Sequence, residues 1–79
     1  MDTVELNRLR WRCRRGLLEN DLILARFLDA RGPALSGHEV AALDRLLDLD
    51  DNALWDLLAG RAETEDPGVR PLLAALRAM

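Results

Sequence analysis

The sequence predicts an all-α protein, a small single-domain bundle of about five short helices that spans residues 1–79. Apolar residues make up 49% of the chain and are mostly leucine and alanine, whereas aromatic residues make up only 4%. This composition favours helices over sheets. The apolar residues recur at helical spacing between breaks that contain glycine or proline. A chain of this length buries only roughly 60 to 65% of the surface that it exposes when unfolded, so we expect no deep active site.

The first helix is expected over about residues 3–15. Asp2 or Thr3 can cap its N-terminus, because a short polar side chain before a helix accepts a hydrogen bond from a free amide of the first turn. Gly16 is expected to end or kink this helix, since glycine costs about 1 kcal/mol inside a helix and readily adopts a left-handed backbone. The apolar stripe of this helix is formed by Leu6, Leu9 and Cys13.

The second helix is expected from Leu17 to about Ala30. Its apolar residues cover much of its circumference, so we expect it to lie at the centre of the bundle. The segment ARGPALSG, residues 30–37, then ends it, because Gly-Pro stops a helix and restricts the residue before the proline. The apolar positions are Leu17, Leu18, Leu22, Ile23, Leu24, Phe27 and Leu28.

The third helix has the clearest start in the sequence. Ser36 and Glu39 have the spacing of a capping box, in which each side chain accepts a hydrogen bond from the other residue's backbone amide. Leu35 and Val40 are placed around this box as a hydrophobic staple. The stripe that we expect to face the core consists of Val40, Leu43, Leu46 and Leu47.

A short fourth helix is expected over about residues 52–59. Asp50 and Asp51 can end the third helix and cap this one, because their carboxylates accept hydrogen bonds from its first amides. Gly60 is suited to the C-terminal cap, where a left-handed residue is common.

The start of the last helix stays open between two prolines. It begins either at Pro67, after a cap by Asp66, or nearer to Pro71, because a proline is well tolerated in the first turn and costs a hydrogen bond further along. In both cases the residues that face inward are Leu72, Leu73 and Leu76.

Charge is distributed unevenly along the chain. Residues 1–15 hold five arginines against two acids, and residues 16–79 hold six arginines against twelve acids, for a net charge of −3. Every basic residue is arginine, whose planar guanidinium favours bidentate contacts with carboxylates or phosphates. We therefore expect an acidic protein with a basic N-terminal end.

The sequence contains no pattern typical of an enzyme or a metal site. His38 is the only histidine and follows a helix cap, where a structural or exposed position is expected. Cys13 lies on an apolar stripe, so we expect it to be buried rather than reactive, although nearby arginines would lower its pKa if it were exposed. The acids of residues 47–56 lack the full ligand pattern and the closing glutamate of a calcium loop. We expect neither catalysis nor a bound metal.

The single cysteine indicates a reducing compartment, because it cannot form an internal disulfide. The first residues lack the apolar run of a signal peptide, and no stretch approaches the roughly 20 apolar residues that a membrane span requires. We expect a soluble, cytoplasmic protein that does not insert into a membrane.

The arginines before Gly16 allow three interpretations. They can form a solvated helix face that complements the helix dipole, with Arg15 paired to Glu19 inside the molecule. They can bind nucleic acid, with Trp11 as a stacking platform, although the acidic remainder of the chain disfavours this. They can form a protein interface, since arginine and tryptophan are enriched at binding hot spots and glycine admits a close backbone.

Residues of about 5–60 resemble the succinate dehydrogenase assembly factor family, small proteins that promote covalent attachment of FAD to the flavoprotein subunit. The first matching stretch is RWRCRRGLLENDLILARFLD and the second is LSGHEVAALDRLLDLDDNALWDLLAG. The family's Arg-Gly-x-x-Glu motif is matched by Arg15, Gly16 and Glu19. Leu17 replaces a usual methionine and Asn52 a frequent proline. Further matching residues are Trp11, Cys13, Asp21, Leu35, Ser36, Glu39, Leu46, Leu47, Asp50 and Asp51.

The resemblance implies a non-catalytic chaperone that holds no cofactor stably and acts on the FAD of its partner. The implied partner is the flavoprotein subunit of succinate dehydrogenase, with the related subunit of fumarate reductase as a second client, and no nucleic acid is expected. Members of the family are also described as antitoxin-like regulatory proteins, which is the alternative. The expected partner-binding residues are Arg15, Gly16 and Glu19 at the centre, extended by Arg8, Trp11, Arg12, Arg14 and Asp21.

Overall fold

A computed structural model describes residues 2–79 and contains, over that range, five α-helices and no strand, which confirms the all-α prediction. A 3-10 turn at Gly32–Ala34 follows the second helix. None of the helices within residues 2–79 has both the length and the hydrophobicity that crossing a bilayer requires. The helices are α1 (Thr3–Arg12), α2 (Leu18–Arg31), α3 (Gly37–Leu47), α4 (Asp51–Leu58) and α5 (Arg70–Arg77).

Three of the helices begin at side-chain caps that the sequence predicts. The Asp2 carboxylate accepts a hydrogen bond from the Glu5 amide at 2.7 Å, so Asp2 rather than Thr3 caps α1. Ser36 and Glu39 form both bonds of the capping box of α3, each at 3.2 Å. The Asp50 carboxylate caps α4, whose first residue is Asp51. These caps satisfy amide groups that have no partner inside the helix.

The end of α4 follows the sequence prediction as well. Gly60 has φ +80° and follows the C-cap Ala59. The Gly60 amide donates to the Leu57 carbonyl, and the Arg61 amide donates to the Asp56 carbonyl at 2.8 Å. This pair of hydrogen bonds is a Schellman motif, in which a left-handed glycine satisfies the last carbonyls of the helix.

Helix α1 ends earlier than predicted, whereas α5 starts at the second of its two predicted positions. α1 ends at Arg12, not near residue 15, and Gly16 lies in a separate connection rather than at the helix cap. α5 begins at Arg70, so Pro71 occupies its first turn, where a missing amide costs little. A turn closed by the Asp66 carbonyl precedes α5, which excludes a helix start at Pro67.

Helix α2 lies at the centre of the bundle, as predicted, and packs against α4, α5 and the 3-10 turn. Its inner side carries Leu24, Phe27 and Leu28, all fully buried in one continuous core. The expectation that Leu18 and Leu22 widen this buried face is wrong, because they are 66% and 46% exposed. They lie one helical turn apart on the same side of α2.

The capping box of α3 gives a test of this fold. Replacing Ser36→Ala removes the acceptor for the Glu39 amide, and we expect the free energy of unfolding to fall by about 1 kcal/mol. Urea denaturation measures this change. His38→Ala, which alters an exposed side chain next to the cap, serves as the control and should stay within about 0.5 kcal/mol of the parent protein. Equal stability of the Ser36 variant and the parent would contradict the capping role.

Candidate functional site

The arginines of α1 bind acids of other helices rather than facing water as one basic patch. Arg12 donates to Asp44 at 2.6 Å and to Asp48 at 2.9 Å, and both acids lie on the face of α3 or at its end. Arg8 approaches Asp44 more loosely, at 3.4 Å. Arg10 pairs with Asp29 of α2 at 2.7 Å. The basic N-terminal end is therefore largely neutralised within the molecule, which removes much of the positive field that a phosphate backbone needs.

Arg15 makes the most buried of these contacts, and its side chain is only 16% exposed. Its Nε donates to Asp51 Oδ1 at 2.6 Å, and its Nη1 donates to the Leu47 carbonyl at 2.6 Å. Its Nη2 donates to the Leu49 carbonyl. Arg15 therefore pairs with Asp51 and not with Glu19, the internal partner that its sequence spacing suggests. Arg15 satisfies a terminal carbonyl of α3 and places a positive charge at the negative end of that helix dipole.

Gly16 adopts a backbone conformation that few other residues tolerate. Its φ is +98°, and a Cβ atom built on it would meet no atom within 4 Å. The Asp21 carboxylate accepts the Arg15 amide at 2.9 Å and the Gly16 amide at 3.1 Å. Asp21 therefore shapes the connection between α1 and α2 from the inside. The positive φ is the reason why this position requires glycine. The space next to its Cα atom is open, so a partner can approach it.

A second group of residues around Gly16 points outward, and we call it the outer face. Trp11 is 73% exposed, and the Arg14 guanidinium lies 5.9 Å from its ring centre. Among residues 2–79, Arg14 has no carboxylate within ion-pair distance, and the exposed Glu19 carboxylate makes neither an ion pair nor a hydrogen bond. The outer face consists of Trp11, Arg14, Gly16, Leu18, Glu19 and Leu22.

A shallow groove of about 290 Å³ adjoins the outer face between α1 and α2. Arg10, Arg14 and Asp21 contribute its polar wall, and Leu22 contributes to its apolar part. Cys13 also lines it but is only 4% exposed, as the sequence predicts. Burial raises the pKa of the Cys13 thiol to about 11, against a smaller opposing effect of neighbouring arginines. The thiol is therefore protonated at neutral pH and poorly suited to act as a nucleophile.

The predicted site residues thus divide into two groups. Trp11, Arg14, Gly16 and Glu19 belong to the outer face, whereas the remaining ones hold the fold in place, namely Arg8, Arg12, Arg15 and Asp21. His38, the other titratable candidate, is exposed on α3. In residues 2–79 no group of three or more histidine, cysteine or acidic residues is arranged to hold a metal.

Sequence reasoning missed the acids that organise the site. Asp44 and Asp51 each bind an arginine more than 30 positions earlier in the chain, and the capping role predicted for Asp51 does not include this contact. Asn20 was not singled out at all, yet it is fully buried and its amide donates to the Asp51 carbonyl at 3.1 Å. Asn20 stands between two acids in the sequence, so the available signal was its helical spacing, four and seven positions before Leu24 and Phe27.

Comparison with known proteins gives a consistent family. Residues 7–79 match a family described as flavinator of succinate dehydrogenase, so the match extends beyond residue 60 and includes α5. The FAD assembly factor SdhE of Ralstonia nicotianae is 51% identical over 76 residues, which cover 91% of this chain and 80% of that protein. The FAD assembly factor SdhE of Methylococcus capsulatus is 44% identical over 72 residues, covering 91% of this chain and 87% of that protein. No solved structure matches the chain.

The burial of Cys13 predicts low thiol reactivity. At pH 8 the folded protein should react with a disulfide reagent at a rate about a hundredfold below that in urea, because a pKa raised from 9.0 to about 11 leaves far less thiolate. The absorbance of the released thiolate measures both rates. Equal rates in the two conditions would contradict the burial of this side chain.

The positive φ of Gly16 predicts a cost for any side chain at this position. Gly16→Ala should lower the free energy of unfolding by about 1 to 2 kcal/mol through backbone strain, since no atom lies close enough to clash. Gly37→Ala is the matched control, because Gly37 also has open space around its Cβ position but lacks the positive φ. Urea denaturation measures the free energy of unfolding of both variants. Equal stability of the two variants would show that a side chain at position 16 causes no backbone strain.

Proposed function

This chain belongs to the family of flavinators of succinate dehydrogenase, and from this membership we propose that it is an assembly factor for that enzyme. It binds the flavoprotein subunit and promotes the covalent attachment of FAD to it. Two kinds of observation support the proposal: relatives that match most of the chain carry the name FAD assembly factor, and an exposed face of interface-type residues surrounds Gly16. No observation favours a nucleic-acid-binding or antitoxin-like function.

The outer face carries the observation on which this proposal depends most. Trp11 and Leu18 expose large apolar side chains next to the charges of Arg14 and Glu19, which form no ion pair within residues 2–79. Exposed aromatic and arginine side chains of this kind form the centres of protein interfaces, where burial against a partner excludes water. The open space above Gly16 admits a partner backbone to close range.

The chemistry of flavin attachment belongs to the partner in this account. The chain acts as a chaperone that stabilises the conformation in which a histidine of the flavoprotein subunit bonds to the flavin, and it holds no FAD of its own. Its only thiol is buried with a raised pKa, which argues against a nucleophile supplied by this chain. We propose a non-catalytic role for the same reason.

The finer parts of the proposal concern clients and compartment. The flavoprotein subunit of fumarate reductase is proposed as a second client. We propose the cytoplasm as the compartment, where a lone thiol such as Cys13 stays reduced. Internal neutralisation of Arg8, Arg10 and Arg12 argues against nucleic acid as a partner.

Capture of the partner tests the proposed function. The tagged chain, expressed in its host, should co-purify the flavoprotein subunit of succinate dehydrogenase, and fluorescence of the denatured band should show covalent flavin. Glu19→Gln removes one charge of the outer face, and we expect affinity for the subunit to fall about tenfold, the loss of roughly 1.4 kcal/mol of binding free energy.

Glu65→Gln is the matched control, because Glu65 is an exposed acid in the connection between α4 and α5. It should leave both subunit capture and covalent flavin unchanged. Absence of the flavoprotein subunit from the captured material would contradict the assembly function. Equal capture by the Glu19 and Glu65 variants would instead contradict the role of the outer face.

A further inference from the structure

Two residues on either side of Gly16 reach the same residue of a distant helix. Arg15 precedes Gly16 and donates its Nε to Asp51 Oδ1 at 2.6 Å. Asn20 follows Gly16 in the first turn of α2 and donates its side-chain amide to the Asp51 carbonyl at 3.1 Å. Both ends of the connection that carries Gly16 are therefore tied to Asp51, one through its side chain and one through its backbone.

Asp51 is a rigid point of attachment. It is the first residue of α4, and the preceding residue caps that helix through a hydrogen bond to the Ala53 amide at 2.8 Å. Leu54 and Leu58 anchor the same helix in the core, with exposed fractions of 0% and 6%. A hydrogen bond to Asp51 thus fixes the connection between α1 and α2 relative to the packed helix α4.

The second tether is maintained at a cost to the core. Asn20 is fully buried, and its Oδ1 has no hydrogen-bond partner among the described residues. A buried polar atom without a partner is unfavourable, so an apolar side chain would pack there more easily. The amide of Asn20 contributes its bond to Asp51, which ties the first turn of α2 to the first residue of α4.

We propose that Asp51 is a positioning residue that holds the Gly16 connection in the one conformation in which the outer face can bind its partner. The inference rests on the proposed function, since it concerns the partner surface assigned there. Asp51 does not belong to the outer face and acts through Arg15 and Asn20.

The geometry of the outer face gives the reason. Trp11 and Arg14 lie before Gly16, whereas Leu18 and Glu19 lie after it. Glycine permits many backbone conformations, so the two halves of the outer face keep their relative placement only if the connection is restrained. The hydrogen bonds to Asp21 restrain its backbone locally, and the bonds to Asp51 fix it relative to α4. A restrained connection lowers the entropy lost on binding, which increases affinity without adding a contact.

Removal of the Asp51 carboxylate tests the proposal. Asp51→Ala should bind the flavoprotein subunit about tenfold more weakly, because the binding-competent conformation is then populated about a tenth of the time. In the free chain, the amide resonance of Gly16 should shift and its hydrogen exchange should accelerate. Asp51→Glu, which keeps the charge that Arg15 binds, should recover most of the affinity.

Asp56→Ala is the matched control, because Asp56 lies on the same helix and forms an exposed ion pair with Arg61 at 3.5 Å. It should change neither the affinity nor the Gly16 resonance. Equal affinities of the Asp51 and Asp56 variants would overturn the proposal, and so would an unchanged Gly16 resonance in Asp51→Ala. Melting curves of both variants show that the protein is folded at the assay temperature.

A double variant separates positioning from direct contact. Asp51→Ala added to Arg15→Ala should weaken binding no further than Arg15→Ala alone, because Arg15→Ala already removes the bond that Asp51→Ala releases. Additive losses would overturn the claim that Asp51 acts through Arg15. If the parent chain fails to bind the flavoprotein subunit, the proposed function is wrong. The positioning role of Asp51 is then decided by the amide resonance of Gly16 in Asp51→Ala. A shifted resonance supports this role, and an unchanged resonance overturns it.

Discussion

The largely buried guanidinium of Arg15 makes the contacts on which the arrangement around Gly16 depends. It lies between the C-terminal carbonyl of Leu47, the Leu49 carbonyl and the carboxylate of Asp51, and so joins the end of α3 to the start of α4. The negative end of one helix dipole and a carboxylate both favour a cation at this place. The planar fork of arginine can satisfy three acceptors at once, which a lysine ammonium on a flexible stem does less well.

The arginines clustered near the end of α1 have two different roles: some pair with acids inside the molecule, and one is exposed at the outer face. Arg8, Arg10 and Arg12 bind acids of α2 and α3, and this pairing lets a basic N-terminal segment fold onto an acidic remainder. Exposed pairs of this kind contribute little stability each, so their main effect is to orient α1. Arg14 is left unpaired beside Trp11, where it belongs to the outer face.

Local signals made much of the fold predictable from the sequence. The caps by Asp2, Ser36 and Asp50 involve residues three positions apart, and the left-handed Gly60 follows from backbone sterics alone. The acidic partners of Arg10, Arg12 and Arg15 were not predictable, because they lie 19 to 36 positions away and depend on how the helices pack.

The exposure of individual apolar side chains also could not be predicted from helical periodicity. Leu18 and Leu22 satisfy the helical pattern of a buried face, but whether a neighbouring helix covers that face depends on how α1 and α2 pack against each other. The contacts of the motif residues were not predictable from their spacing either. Arg15 and Glu19 are four positions apart and suggest an ion pair, yet Arg15 turns inward to Asp51 and Glu19 remains exposed.

The central claim is that neighbouring arginines of the motif have opposite roles, Arg15 inside the fold and Arg14 at the partner surface. Modification of arginine side chains by phenylglyoxal, located by mass spectrometry with and without the flavoprotein subunit, tests this claim most directly. The account predicts that Arg14 reacts readily in the free chain and is protected in the complex, while Arg15 reacts slowly in both. Ready modification of Arg15 in the free chain with protection by the subunit, and no protection of Arg14, would contradict it.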